Sequence, residues 1–284
     1  MNQHRAFSLI ELSMVLVLLT AIILGVMNTT SLIGDSTLSK AKILTKQSPV
    51  KDISGLILWV ETSLEESFVL SEIEDGQPIS TWHDIKNNAL KSNHPNQSTT
   101  LNQPTYQEKA FNKSIPGIRF DGINDYLNFD GDGIINSSYT IFVVEKRTSN
   151  KDDNYFISGT GTTSNENLIL GYDEDTSITH SHYLNNLTHA ISGYSNNIER
   201  IHSFTFDMSG KKYYLNGGSS SDENDLVTNT VEKFDGATIG EYLGGTTYYQ
   251  GDIAEIIIFN KTLKNEDRSA VEEYLGKKYD ITLN

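Results

Sequence analysis

The chain has 284 residues, enough for one large domain or a medium domain with added segments. Lys and Arg total 22 against 37 Asp and Glu, and the formal net charge of −15 repels a phosphate backbone, so no nucleic-acid partner is expected. The absence of cysteine excludes disulfides, thiolate metal sites and catalytic thiols. In chain order the first element is an apolar stretch from Phe7 to Met27, interrupted by one charge, Glu11. At ~1.5 Å per residue a helix of this length covers the ~30 Å of a bilayer core, so residues 7–27 read as transmembrane. A carboxylate there costs ~2.5–3.5 kcal/mol at mid-membrane and less near the edge. A cleaved secretory signal fits the positive start, His4 and Arg5, but not the length. A plain anchor fits the length but leaves Glu11 unexplained.

A third reading accounts for both. Ala6-Phe7-Ser8-Leu9-Ile10-Glu11-Leu12 resembles the N-terminus of type IV pilins and pseudopilins. The resemblance implies a leader over residues 1–6, cleaved after Ala6 by the prepilin peptidase, and N-methylation of Phe7. It implies an assembly role for Glu11, which pairs with the new terminus while the helix packs against other pilin subunits. The implied localisation is the bacterial inner membrane, then a pilus or pseudopilus at the periplasm or cell surface. Ala6 departs from the usual Gly, which puts efficient processing in doubt. The helix is expected over residues 7–47, with a weak apolar stripe through Leu32, Ile33, Leu38, Ala41 and Leu44. Pro49 ends it, and residues 48–54 read as a linker to a domain over 55–284.

From Leu56 short apolar runs alternate with turn clusters. Strands are expected at LILWV (56–60), GIRF (117–120), YLNF (126–129), YTIFVVEK (139–146), NYFISG (154–159), NLILGY (167–172), RIHSFTFDM (200–208), KKYYLNGG (211–218) and GDIAEIIIFN (251–260). Asn216-Gly217 is a type I′ hairpin signal. One helix follows, with Asn265 as its cap, Glu266 and Asp267 in its first turn, Ala270, Val271, Tyr274 and Leu275 on its buried face, and Gly276 as its terminator. Many short strands mean a sandwich or barrel. Trp59, Phe120, Phe142 and Phe259 are its candidate core aromatics.

The order of these pieces resembles the laminin-G-like or concanavalin A-like jelly rolls. The residues that carry it are LILWV, Trp82-His83-Asp84, Pro104-Thr105-Tyr106, Ile118 to Gly122 with Asn124-Asp125-Tyr126, Tyr214 to Gly217, and the stretch 251–275. The expected fold is therefore mainly β: a concanavalin A-like (laminin-G-like) jelly-roll sandwich with a long N-terminal transmembrane helix and a short C-terminal helix.

Glycanases with this fold imply Glu-x-Asp-x-x-Glu on a strand. That pattern is absent, and Glu72-Ile73-Glu74-Asp75 runs into Gly76 as a loop, so no enzyme is expected. Calcium is the candidate metal, because relatives use loop oxygens and Asp121, Asn124 and Asp125 cluster in one turn. The same residues are ordinary turn formers. Tyr242, Tyr248 and Tyr249 are candidate sugar-stacking residues, or simply solvent-facing tyrosines of a sheet. His180 and His182, two apart on a strand, with His189 beyond, read either as metal ligands or, preferably, as a solvated edge or loop. The expected function is a minor pilin-like subunit presenting a jelly-roll head that binds a glycan or surface protein. The alternatives are a pseudopilin that recognises exported cargo in a type II-like secretion system and, last, a surface polysaccharide hydrolase.

Overall fold

The computed structural model describes residues 9–86, 93–191, 194–219 and 229–284; along 9–12, 21–33 and 35 it describes the backbone. Helix α1 (Leu9–Lys46) runs for 38 residues and stops three residues before Pro49, whose ring cannot continue it. Ala6 and Phe7 lie outside the described residues, and Glu11 lies in α1 with its side chain outside them. Met14 to Leu19 stand exposed. Among the described residues no helix is long and apolar enough to cross a membrane, which overturns the expected inner-membrane location. At its other end α1 is docked. Ala41 and Thr45 are buried, and Val50, in the 3-10 turn Pro49–Asp52, is buried with them.

Among the described residues fifteen strands and a second helix follow. In chain order they are β1 (Leu56–Glu61), β2 (Thr105–Phe111), β3 (Ile115–Asp121), β4 (Leu127–Asn128) and β5 (Tyr139–Arg147). Then come β6 (Asn154–Ser158), β7 (Ile169–Glu174), β8 (Ser177–Ser181), β9 (Asn186–Ala190) and β10 (Arg200–Asp207). Last are β11 (Gly210–Leu215), β12 (Thr238–Ile239), β13 (Glu241–Tyr242), β14 (Thr247–Tyr248), β15 (Gln250–Phe259) and α2 (Asn265–Tyr279). They form a mainly β sandwich. One sheet has seven strands in the order β11-β10-β5-β15-β3-β2, with β1 also paired to β15. The long β15 holds β3 along its first residues and β1 along its last. The opposing sheet has six strands in the order β4-β12-β6-β7-β8-β9, and β13 and β14 form a separate hairpin.

The apolar pattern explains the layers. Along β5, Tyr139, Ile141 and Val143 point into the core between the sheets, while Phe142 and Val144 point to a second core under α2. The seven-stranded sheet is thus covered on both faces, and its central strands β5 and β15 read as near-continuous apolar runs. All four candidate core aromatics are buried, Phe120 between the sheets and Trp59, Phe142 and Phe259 beneath α2.

Two local expectations change. Asn216 and Gly217 do take positive φ (47° and 71°), but they close no hairpin. The β10–β11 hairpin turns earlier, where Asp207 pairs with Gly210. Asn216 instead ends β11, its Oδ1 accepting from Ile201 N at 2.8 Å. In α2, Asn265 is the first helical residue rather than the cap, and Lys264 in the cap position makes no side-chain capping bond. Gly276 does not end the helix, which runs to Tyr279 and closes on Asp280 at φ 58°. A Cβ at Gly276 would lie 3.0 Å from Ile281 O, so glycine there lets the C-terminal tail fold back.

Candidate functional site

The turn that follows β3 is built by its own side chains. Asp121 Oδ1 accepts from Ile123 N at 2.8 Å and Asn124 N at 3.3 Å, and Asp125 Oδ2 accepts from Asp121 N at 3.0 Å. Asn124 Nδ2 donates to Leu101 O at 2.7 Å and Asn102 Oδ1 at 3.2 Å. These oxygens are committed to the turn, and among the described residues no group of three or more His, Asp or Glu side chains could hold a metal ion. The three proposed calcium residues are therefore placed as turn-forming groups.

The β13–β14 hairpin stands beside this turn. The Tyr126 and Tyr248 rings lie 6.5 Å apart, and Lys151 joins the two segments through Gly122 O and Tyr248 O. Tyr242 lies on Tyr155 at 4.6 Å, and Tyr155 OH donates to Asp153 and Asp173. Glu241 pairs with Tyr248 across the hairpin. The neighbouring apolar side chains Leu101 and Ile123 are 82% and 72% exposed. The hairpin register sets Glu241 and Tyr248 on one face, toward Tyr126, and Tyr242 on the other, toward Tyr155; the first face, with Leu101 and Ile123 nearby, forms a rim. One of the candidate tyrosines, Tyr248, thus stands beside the turn of the candidate aspartates. Tyr126, Tyr155 and Glu241 were not anticipated. Tyr126 directly follows the Asp turn, which was a usable signal, whereas nothing local marked Tyr155 or Glu241.

Burial sets the protonation of the rim. The Asp125 carboxyl, 6% exposed, is pushed up to about 7 by burial, with the Asp121 amide opposing and the Asp121 carboxylate adding to the rise. Burial likewise raises Glu241, and it lowers the Lys151 ammonium.

Tyr249 is corrected: it lies wholly inside the sandwich and donates to Glu145 Oε2 at 2.6 Å. Strand alternation places Tyr248 outside and sends Tyr249 inward. The histidines are corrected too. His180 and His182 are fully buried, not at a solvated edge, and Tyr139 OH sits between their Nε2 atoms at 2.6 and 2.7 Å. His182 Nδ1 donates to Asn229 O at 2.7 Å, so its Nε2 accepts the Tyr139 proton and His180 Nε2 donates to Tyr139. Burial, helped by the Lys211 cation, pushes His182 down to about 3, so the imidazole is neutral. His189 lies at 5.4 Å from the Tyr213 ring.

No protein-family model and no curated protein matches the chain. Solved structures do. A Trypanosoma rangeli sialidase in complex with 2,3-difluorosialic acid, a covalent intermediate, superposes with a TM-score of 0.55 at 13% identity over 88% of this chain and 39% of that one. Another structure of Trypanosoma rangeli sialidase gives 0.54 at 13% identity over 82% and 34%. A mutant GH54 α-L-arabinofuranosidase, soaked with 4-nitrophenyl α-L-arabinofuranoside, gives 0.54 at 14% identity over 71% and 51%. The chain thus spans about a third of the sialidases and about half of the arabinofuranosidase. At these identities the likeness establishes a shared mainly β fold. It also corrects two expectations. The solved structures named above are a sialidase and an arabinofuranosidase and not pilins, so the reading as a pilin-like or pseudopilin subunit does not stand. The exclusion of enzymatic activity falls with it.

Proposed function

We propose that the chain is a carbohydrate-directed protein, with a jelly roll of the concanavalin A-like (laminin-G-like) type that takes a glycan on the rim of Tyr126 and Tyr248. The observation that carries this is the meeting of partly exposed aromatic rings with carboxyl groups on one edge of the sandwich. Aromatic faces suit the apolar faces of sugar rings, while Asp125 and Glu241 suit hydroxyl groups. The sialidase and arabinofuranosidase likenesses select the first probes, sialosides and arabino-oligosaccharides. Binding followed by calorimetry and by NMR of the tyrosine rings is expected to shift Tyr126 and Tyr248. Tyr248→Ala should weaken it by about 5- to 10-fold, the equivalent of ~1–1.5 kcal/mol for one stacked ring. Met208→Ala, at an exposed position, should change nothing. Sugars that bind without perturbing either ring would sink the assignment.

A second reading, glycoside hydrolysis, is favoured by the buried Asp125 carboxyl beside the rim, which burial pushes up to about 7, the range a general acid needs. Activity on 4-nitrophenyl glycosides should then fall as pH rises through about 7, because the donor form is lost. Asp125→Asn should lower turnover by about 100-fold or more while leaving sugar binding in place. A pH profile that is flat between 5 and 9 would exclude Asp125 from that role. The likeness of Ala6 to Leu12 to prepilin processing sites is a separate proposal about processing alone. Its support is the motif, and the mass of the native N-terminal peptide, beginning at methylated Phe7 or not, decides it.

A further inference from the structure

A buried cluster of charged side chains lies away from the rim, where β1, β15 and α2 meet. Glu61 and Glu255 are directly opposed across the β1–β15 ladder. Lys278 enters between them from α2, with Nζ at 2.6 Å from Glu61 Oε2 and 2.8 Å from Glu255 Oε2, and all three side chains are shut off from solvent. Glu61 Oε1 accepts from Leu64 N at 2.8 Å and Ser67 Oγ at 2.9 Å, and Oε2 accepts from Ser63 N at 2.8 Å. Glu255 accepts from Trp59 Nε1 at 2.7 Å, Tyr274 OH at 2.8 Å and Tyr279 OH at 2.9 Å.

One ammonium faces two carboxylates in a dry site. Burying such ions is costly even when they are paired. Condensing one pair to a neutral amide removes that cost, and the burial that penalises ions is what turns amide formation favourable. The reactants are already in contact, so the step is effectively unimolecular. The Leu64 and Ser63 amides and the Ser67 hydroxyl point at the Glu61 carboxyl oxygens, where they would stabilise the charge of a tetrahedral intermediate.

We propose that Lys278 and Glu61 form an intramolecular amide bond, with Glu255 carrying the protons. Glu255 takes a proton from Nζ, and the free amine attacks Cδ of Glu61. The new N–C bond forms and one Cδ–O bond breaks. The departing oxygen leaves as water with two of the three ammonium protons, passed to it by Glu255, and the third stays on the amide nitrogen. Ammonium and carboxylate are replaced by a neutral amide and one water, with no oxidant or activating group. The bond ties β1 to α2 across 217 residues of sequence, clamping the two ends of the sandwich together.

Peptide mapping of the full chain tests this. Trypsin should release residues 52–86 joined to residues 278–284, since an acylated Lys278 is not cut. The pair should weigh about 18 Da less than its two parts, the mass of one water. Lys278→Arg keeps the charge and should yield only separate peptides. Glu255→Gln should slow the linkage by about 100-fold or more. Free 52–86 together with cleavage after Lys278 in the wild-type chain would overturn the proposal, and the wild-type map decides it even if neither variant folds. Unimpaired linkage in Glu255→Gln would remove Glu255 from the mechanism.

Discussion

Glu145→Ala is expected to lower the stability of the sandwich by about 3–5 kcal/mol, read as the midpoint of denaturant unfolding. Glu145 is the shared acceptor of a polar cluster sealed between the sheets. Its Oε1 receives Tyr172 OH at 2.7 Å and His202 Nε2 at 2.9 Å, and its Oε2 receives Tyr249 OH at 2.6 Å. His202 Nδ1 in turn lies 3.0 Å from Tyr213 OH. Alanine would strand three donors in a dry core, each at about 1–3 kcal/mol, partly recovered by water entering the cavity. The acid limb of stability reports the same group. Burial pushes the Glu145 carboxyl up, but His202 and Tyr249 more than offset this and hold it below its ordinary value. Its contribution is therefore present above the unfolded carboxyl pKa and lost as pH falls through the lower folded one. Glu145→Gln should flatten that limb. A variant as stable as wild type, with an unchanged acid limb, would show that the cluster contributes nothing.

Gly171→Val is expected to be as damaging, about 3–5 kcal/mol, from two causes that add. Gly171 sits at φ 146°, a backbone region that side chains rarely adopt and that costs about 1–3 kcal/mol to hold. A Cβ would also lie 2.5 Å from Tyr155 Cα and 2.9 Å from Asn154 O, both backbone atoms of β6. Backbone cannot move aside as a flexible side chain does, so β6 and β7 must separate, at about 1–3 kcal/mol more. The displacement would carry Tyr155 and, through Tyr242, the β13–β14 hairpin that bears Tyr248, so the sugar binding proposed for the rim should weaken together with stability. Thermal unfolding and sugar titration of this one variant check both effects.

The parts of this protein that were legible in the sequence are those set by local chemistry or by runs of residues. The β5 and β15 strands carry apolar residues on both faces because both faces are covered, and runs such as Ile141 to Val144 and Ile256 to Phe259 cannot be mistaken for a loop. The turn at Asp121 to Asp125 was legible because its side chains bond its own backbone. β8 and β9, reading Ser-Ile-Thr-His-Ser and Asn-Leu-Thr-His-Ala, were not, since their polar residues find partners that lie far along the chain. Helix α2 was found, but its end was misplaced, because Gly276 answers to the folded-back tail and not to the helix.

The absence of a known catalytic pattern carried less weight than it was given, since a missing arrangement on one strand says nothing of carboxyls that meet from separate segments. Asp125 and Glu241 belong to different turns, and only the pairing of Gln250 with Asp121 brings the hairpin beside the Asp turn. The sequence by itself determined that this is an acidic, cysteine-free, mainly β chain with a long N-terminal helix, because composition and periodicity act residue by residue. The tertiary structure decided which alternate residue faces inward: Tyr249 and the paired histidines went to the core and Tyr248 to the rim. Strand period gives two faces, and only the opposing sheet says which of them is dry.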